Sequence, residues 1–154
     1  MSSENVRVLF VCHGNICRST MAQCVFQQMV DKAGVAGRFT VDSAATTEEE
    51  LGMPIYPPAR DALKAHGVPV VPHRARRIQP GEDARWDAIV CMDDENMRHL
   101  KRILGPEAMG KVRKLLSYAG EQGDVADPWY TRDFEATYRD VVRGCKALLQ
   151  QLAS

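Results

Sequence analysis

Short, almost unbroken apolar runs alternate along this chain with stretches whose apolar residues recur at helical spacing. Residues 6–11 (VRVLFV) barely alternate between apolar and polar, the pattern of a strand covered on both faces. After Ser19, apolar residues fall at Met21, Ala22, Val25, Phe26, Met29 and Val30, the stripe of a helix, and Gly34 and Gly37 are expected to stop it. Residues 38–44 (RFTVDSA) predict a second strand, and 46–58 (TTEEELGMPIYPP) predict a loop that closes on prolines. A short helix over 59–68 ends near Gly67, and 86–92 (WDAIVCM) form a third strand. Asp93 has the character of an N-cap, with Asp94 and Glu95 as first-turn acids of a helix reaching about Leu104. Residues 111–118 (KVRKLLSY) suggest a fourth strand, and 131–153 predict a closing amphipathic helix.

Strands alternating with helices imply an α/β sandwich built around a parallel sheet. In such sandwiches ligands bind beyond the carboxyl ends of the strands, and Cys12 lies at that end of the first one. The sequence shows no repeat, and its 154 residues are expected to form a single domain over 1–154. Twenty Lys and Arg balance twenty Asp and Glu, so no whole-molecule field points to nucleic acid or a membrane surface. An anionic ligand would have to be attracted locally. The five cysteines are an odd number and no export signal precedes them, which argues against a disulfide framework and for the cytoplasm. Cys24 and Cys145 fall in helices and Cys91 in a strand, where cysteine is usually a small packing residue.

The segment CHGNICRS, residues 12–19, joins the first strand to the first helix. Gly14 and Asn15 tolerate unusual backbone angles, so the loop can curl and turn several N–H groups inward. It feeds the helix N-terminus, where free amides and the helix dipole favour an anion. Arg18 adds a planar fork of donors matched to two phosphate oxygens. The result is a phosphate cradle with the Cys12 sulfur at its floor, and the same positive surroundings favour a thiolate there. Ser19 is placed either to donate to that sulfur or simply to cap the helix. Cys17 shares the loop, either as a packing residue or as a partner in a reversible disulfide that shields Cys12 from over-oxidation.

With VLFVCHGNICRS near the start and DPWY far downstream, the chain resembles the low-molecular-weight protein tyrosine phosphatase family. The likeness runs through VDSAAT (41–46), AHGVPV and HRARRI (65–78), WDAIVCMDDENMRHL (86–100) and the closing helix. The resemblance implies a three-layer fold of flavodoxin-like topology with a four-stranded parallel sheet. It implies hydrolysis of phosphotyrosine through a phosphocysteine on Cys12, without metal or other cofactor, with phosphate as product and inhibitor. A monomer or weak dimer is expected, with no nucleic-acid or membrane partner. Chemically, Cys12 would attack phosphorus, with Arg18 and the loop at His13, Gly14, Asn15, Ile16, Cys17 and Ser19 holding the phosphoryl oxygens. Asp127 is the candidate general acid, and Pro128 biases it towards an extended backbone; taken alone, an Asp-Pro reads as a turn. Trp129 and Tyr130 would wall a slot for a flat phenol, or pack on the core. Ile16 favours the phenol substrate, because relatives acting on phosphoarginine carry threonine there. The family also suggests a network stiffening the loop, formed here by Asn15, Ser19, Ser43 and His73, although His73 reads equally as an exposed loop histidine.

One departure concerns the second wall of the slot. Many members carry an aromatic residue after the SAAT segment, whereas this chain has Glu48, Glu49 and Glu50. These carboxylates either form an acidic rim that favours basic flanking residues or, as acidic runs usually do, face solvent. The basic run at residues 73–77 reads as a solvated strand edge that could partly offset them. Two other readings compete. A thioredoxin-coupled arsenate reductase has a similar fold and loop but needs further thiols, and Cys91 has no nearby partner in sequence. A phosphate-binding module would keep the cradle but would need neither Cys12 nor Asp127.

Overall fold

A computed structural model describes residues 5–153. Among them, four strands form one parallel sheet in the order β2-β1-β3-β4. They are β1 (Val6–Cys12), β2 (Phe39–Ala45), β3 (Ala88–Cys91) and β4 (Val112–Lys114). The helices are α1 (Arg18–Lys32), α2 (Pro57–Ala65), α3 (Asp94–Leu104), a short α4 (Pro128–Thr131) and α5 (Phe134–Leu152). None is long and apolar enough to cross a membrane.

The apolar run of β1 from Val8 onward has a direct cause in this layering. Val8, Phe10 and Cys12 point to the face covered by α1 and α5, where they meet Met21, Phe26, Val141 and Leu148. Leu9 and Val11 point the other way and pack with Ile89, Ile78, Trp86 and Leu100 of α3. Arg7 at the start of the strand is half exposed and pairs with Asp87, whereas from Val8 to Cys12 both faces are covered, so these positions are best apolar. Each such side chain, fully buried, contributes about 1.5–3 kcal/mol. After β1 the chain goes to β2 on one side and then crosses to β3 on the other. The carboxyl end of β1, where Cys12 sits opposite Ala45, is therefore the topological switch point of the sheet.

Several boundaries differ from the sequence reading. Helix α1 starts at Arg18 and ends at Lys32; Gly34 stops it with φ 73°, while Gly37 lies in a separate 3-10 turn over Ala36–Arg38. The prolines expected to close a loop instead open α2: Pro57 and Pro58 occupy first-turn positions that need no N–H, and Tyr56 is extended before them. The fourth strand is three residues long and passes into a 3-10 turn at Leu115–Ala119. Leu115 and Leu116 both enter the core on the α1 and α5 side, which consecutive strand residues cannot do and a turn can. The closing helix begins later than expected. Arg132 is left-handed at φ 61°, and Asp133 caps α5 by accepting from the Ala136 N–H at 2.9 Å.

Candidate active site

The loop after β1 leads into α1 without a side-chain cap. Cys17 holds the N-cap position and caps nothing, so amides of the first turn remain available to whatever lies in front of them. The Cys12 sulfur lies there, with the Ser19 N–H at 3.4 Å and the Ser19 hydroxyl at 3.1 Å. Cys12 and Arg18 are buried, at 3% and 2% exposure, below an open cavity. Its wall includes Cys12, His13, Gly14, Ile16, Cys17 and Arg18 from the loop, and Asp127, Trp129 and Tyr130 from the turn before α5.

A buried guanidinium needs anions, and two reach it. Arg18 Nη1 donates to Asp93 Oδ2 at 2.6 Å and to the Val125 carbonyl at 2.9 Å, and Nη2 lies 3.5 Å from Asp127 Oδ2. Burial would push this guanidinium down, but Cys12, Asp93 and Asp127 together outweigh it and hold the charge firmly in place. Asp127 uses its other oxygen, Oδ1, to accept the Trp129 N–H at 3.0 Å and so caps α4. One carboxylate oxygen is thus fixed to the backbone and the other faces the cavity and Arg18.

Asn15 and Ser19 do not line the cavity; they stand behind the loop and brace it. Asn15, buried and left-handed at φ 60°, donates to Ser19 Oγ at 2.8 Å and to Ser43 Oγ at 2.9 Å. Its carbonyl accepts from His73 Nε2 at 2.7 Å and from the Arg76 N–H at 3.2 Å. His73 is therefore not an exposed loop histidine. Burial pushes its pKa down, against the pull of Asp42, whose Oδ1 lies 3.5 Å from Nδ1. Arg76 pairs with Asp42 and with the buried Glu82, and Arg77 pairs with Glu48, so much of the basic run is engaged in ion pairs rather than lying free at a strand edge.

Trp129 is 45% exposed and Tyr130 82% exposed, so neither packs into the core. Trp129 leans on Tyr56 with ring centroids 5.0 Å apart, and Tyr56 leans in turn on Phe134. Glu49 and Glu50 border the cavity, while Glu48 and Glu49 are exposed to solvent, so the run is both a rim and a solvated face. Glu49 Oε2 lies 3.0 Å from His13 Nε2. All five cysteines are free and buried. Burial and then the neighbouring Cys12 push the Cys17 thiol up, and burial with Asp93 pushes Cys91 up to about 12.

Asp93 is the functional-site residue that the sequence reading missed. It was expected as an N-cap and is one, accepting the Asn96 N–H at 2.7 Å, but its second oxygen holds Arg18. The signal was its place after β3, at the same sheet end as Cys12.

A family model described as low molecular weight phosphotyrosine protein phosphatase matches residues 7–154. The chain is 40% identical over 149 residues to the human low molecular weight phosphotyrosine protein phosphatase, covering 94% of each. Its fold is similar to the crystal structure of YfkJ from Bacillus subtilis, with a TM-score of 0.93, 32% identity and coverage of 97% of this chain and 95% of that one. It is also similar to a Drosophila arginine phosphatase, with a TM-score of 0.84, 30% identity and coverage of 96% and 98%.

Proposed function

The chain belongs to the low molecular weight phosphotyrosine protein phosphatase family, and from that premise we propose that it hydrolyses phosphotyrosine through a phosphocysteine on Cys12, with Asp127 as proton donor and then proton acceptor. The observation that carries this reading is the vertical order of the cavity. A sulfur with two Ser19 donors lies at its floor, with a buried guanidinium beside it and a carboxylate oxygen facing that guanidinium at 3.5 Å.

In the first step the Cys12 thiolate forms the S–P bond as the P–O bond to the phenol breaks. Arg18 and the loop amides take up the charge on the equatorial oxygens. The leaving phenolate, of pKa about 10, receives the proton from Asp127 Oδ2. In the second step water forms the new P–O bond as the S–P bond breaks, and its proton passes to Asp127. Phosphate leaves and the thiolate is restored. Trp129, braced by Tyr56, supplies one flat wall for the ring, and Ile16 supplies an apolar contact near the loop.

A thiol-relay reductase would need a second reactive sulfur. Cys91 and Cys17 are both buried and held as neutral thiols, which favours the hydrolytic reading. The test is turnover of p-nitrophenyl phosphate in the presence of chelator, with rapid-quench trapping of phosphoenzyme. Cys12→Ser is expected to abolish both turnover and trapped phosphate. Asp127→Asn is expected to lower kcat by about 10²–10⁴-fold, the usual worth of a general acid. Full turnover by Cys12→Ser would overturn the mechanism.

A further inference from the structure

At the edge of the cavity, whose wall His13 shares, stands a group of side chains whose ring nitrogens and carboxylate take no part in the hydrolytic steps. His13 follows Cys12 in the loop, and Glu95 and His99 lie one turn apart on the same face of α3. Because β3 lies next to β1, the start of α3 is carried alongside the loop. One nitrogen of each imidazole and one Glu95 oxygen lie within 4.8 Å of one another. We propose that His13, Glu95 and His99 bind a divalent transition-metal ion of borderline softness, of which zinc is the type.

The geometry of the gap supports an ion over a simple ion pair. His13 Nδ1 is shielded from solvent and has no hydrogen-bond partner, although Glu95 Oε1 is 3.7 Å away. That is too long for a hydrogen bond. It is close to the edge of about 3.4 Å between two ligands of a tetrahedral site with bonds of 2.0–2.1 Å. The His13 and His99 rings are tilted by 46° with centroids 6.3 Å apart, so modest side-chain rotations bring both nitrogens to one point.

The supporting contacts are those that metal-bound histidines usually have. The far nitrogen of His13 is held by Glu49 at 3.0 Å, and His99 Nδ1 lies 3.2 Å from the Thr46 hydroxyl. Two imidazoles and one carboxylate suit zinc, cobalt(II) or nickel(II) better than magnesium or calcium, which prefer oxygen. Three protein ligands also leave a coordination position open. An ion here would fix the loop residue that directly follows Cys12 and offset the negative charge that Glu49 and Glu50 bring to the cavity wall.

The site shares His13 with the cavity wall, but its test can fail separately from that of the hydrolytic reading. Cobalt(II) and zinc are titrated calorimetrically and by visible absorption into the wild type, Cys12→Ser, His99→Ala and Glu95→Gln. The expected result is one equivalent bound by the wild type and by Cys12→Ser, with no sulfur-to-cobalt charge-transfer band. His99→Ala and Glu95→Gln should each weaken binding by at least about tenfold, while keeping wild-type turnover of p-nitrophenyl phosphate in chelator. Absence of binding, binding that survives both His99→Ala and Glu95→Gln, or binding that disappears with Cys12→Ser would each overturn the proposal, the last assigning the ion to the catalytic thiolate.

Discussion

Replacing Asp93 by asparagine separates the two tasks of that side chain. In the wild type Oδ1 accepts the Asn96 N–H at 2.7 Å and Oδ2 accepts from Arg18 at 2.6 Å. Asparagine has a single oxygen. If that oxygen keeps the cap, the amide group presents donors to a guanidinium that has only donors. A charge-assisted hydrogen bond is then lost, worth about 1.5–3 kcal/mol. At 1.36 kcal/mol per factor of ten, a matching loss in the transition state lowers kcat by about 10- to 150-fold. KM should change less, because removing a carboxylate from below the cavity also removes a repulsion to the phosphate dianion. Arg18 retains the Val125 carbonyl and Asp127, so unfolding should be milder than the 3–5 kcal/mol of a buried charge left wholly unpaired. Asp93→Ala removes the cap as well, and urea denaturation should show a further loss of about 1 kcal/mol with no further fall in kcat. The assay is steady-state turnover of p-nitrophenyl phosphate beside urea melts of both variants. Wild-type kcat in Asp93→Asn would refute the argument that Asp93 aims Arg18.

Other consequences follow from the geometry away from the sulfur. Burial alone would push the Glu82 carboxyl up, but hydrogen bonds from Arg76, the Gln79 N–H and the Trp86 indole outweigh it and hold its pKa below the usual range. The unfolded chain therefore takes up this proton first, so the stabilisation is complete above the ordinary glutamate range and is lost as pH falls through the folded value. Glu82→Gln should lower Tm at neutral pH and flatten its decline towards acid; an acid limb as steep as the wild type's would contradict this. At Gly144 an added Cβ would collide with the Leu115 side chain, where the closing helix crosses a fully buried leucine. Gly144→Ala should therefore cost about 1–3 kcal/mol in urea denaturation and leave kcat unchanged; wild-type stability would show that Leu115 moves aside freely. Trp129→Ala should raise KM for aryl phosphates more than it lowers kcat, and an unchanged KM would remove this ring from the substrate slot.

The parts of this molecule that sequence made legible are those whose cause is local. Residues 8–11 reveal a strand buried on both faces because each of their side chains meets a packed layer. The loop from Cys12 to Arg18 is legible because its spacing, its left-handed Asn15 and its helix start lie within eight residues. Asp93 hid its second role because a complete local explanation, the N-cap, already accounted for it, while its partner Arg18 is 75 residues away. Nothing in the sequence singles out Glu82, because Arg76 is recognisable as its partner only once the chain between them has turned back. The fourth strand is shorter than its apolar pattern predicts because two adjacent leucines fit a buried strand and a tight turn equally well. Only the position of the core on one side of the sheet decides between them.

The donors and acceptors behind the loop also explain why an asparagine stands in a left-handed position at Asn15. Glycine would adopt φ 60° more easily but would carry no amide. Both Asn15 amide protons are committed, to Ser19 and Ser43, and its oxygen accepts from His73 and the Arg76 N–H, so its full hydrogen-bonding capacity is used. Ser43 passes its own proton to Gln23 Oε1, which leaves its oxygen free to receive Asn15. Ser19 receives the other amide proton, and its hydroxyl hydrogen then has the Cys12 sulfur, 3.1 Å away, as its partner. The chain of donors ends on sulfur and is set before any substrate arrives. A hydroxyl so constrained to donate stabilises a negative charge on Cys12 without reorganising, and in the mechanism proposed above that charge returns to the sulfur at the end of each cycle.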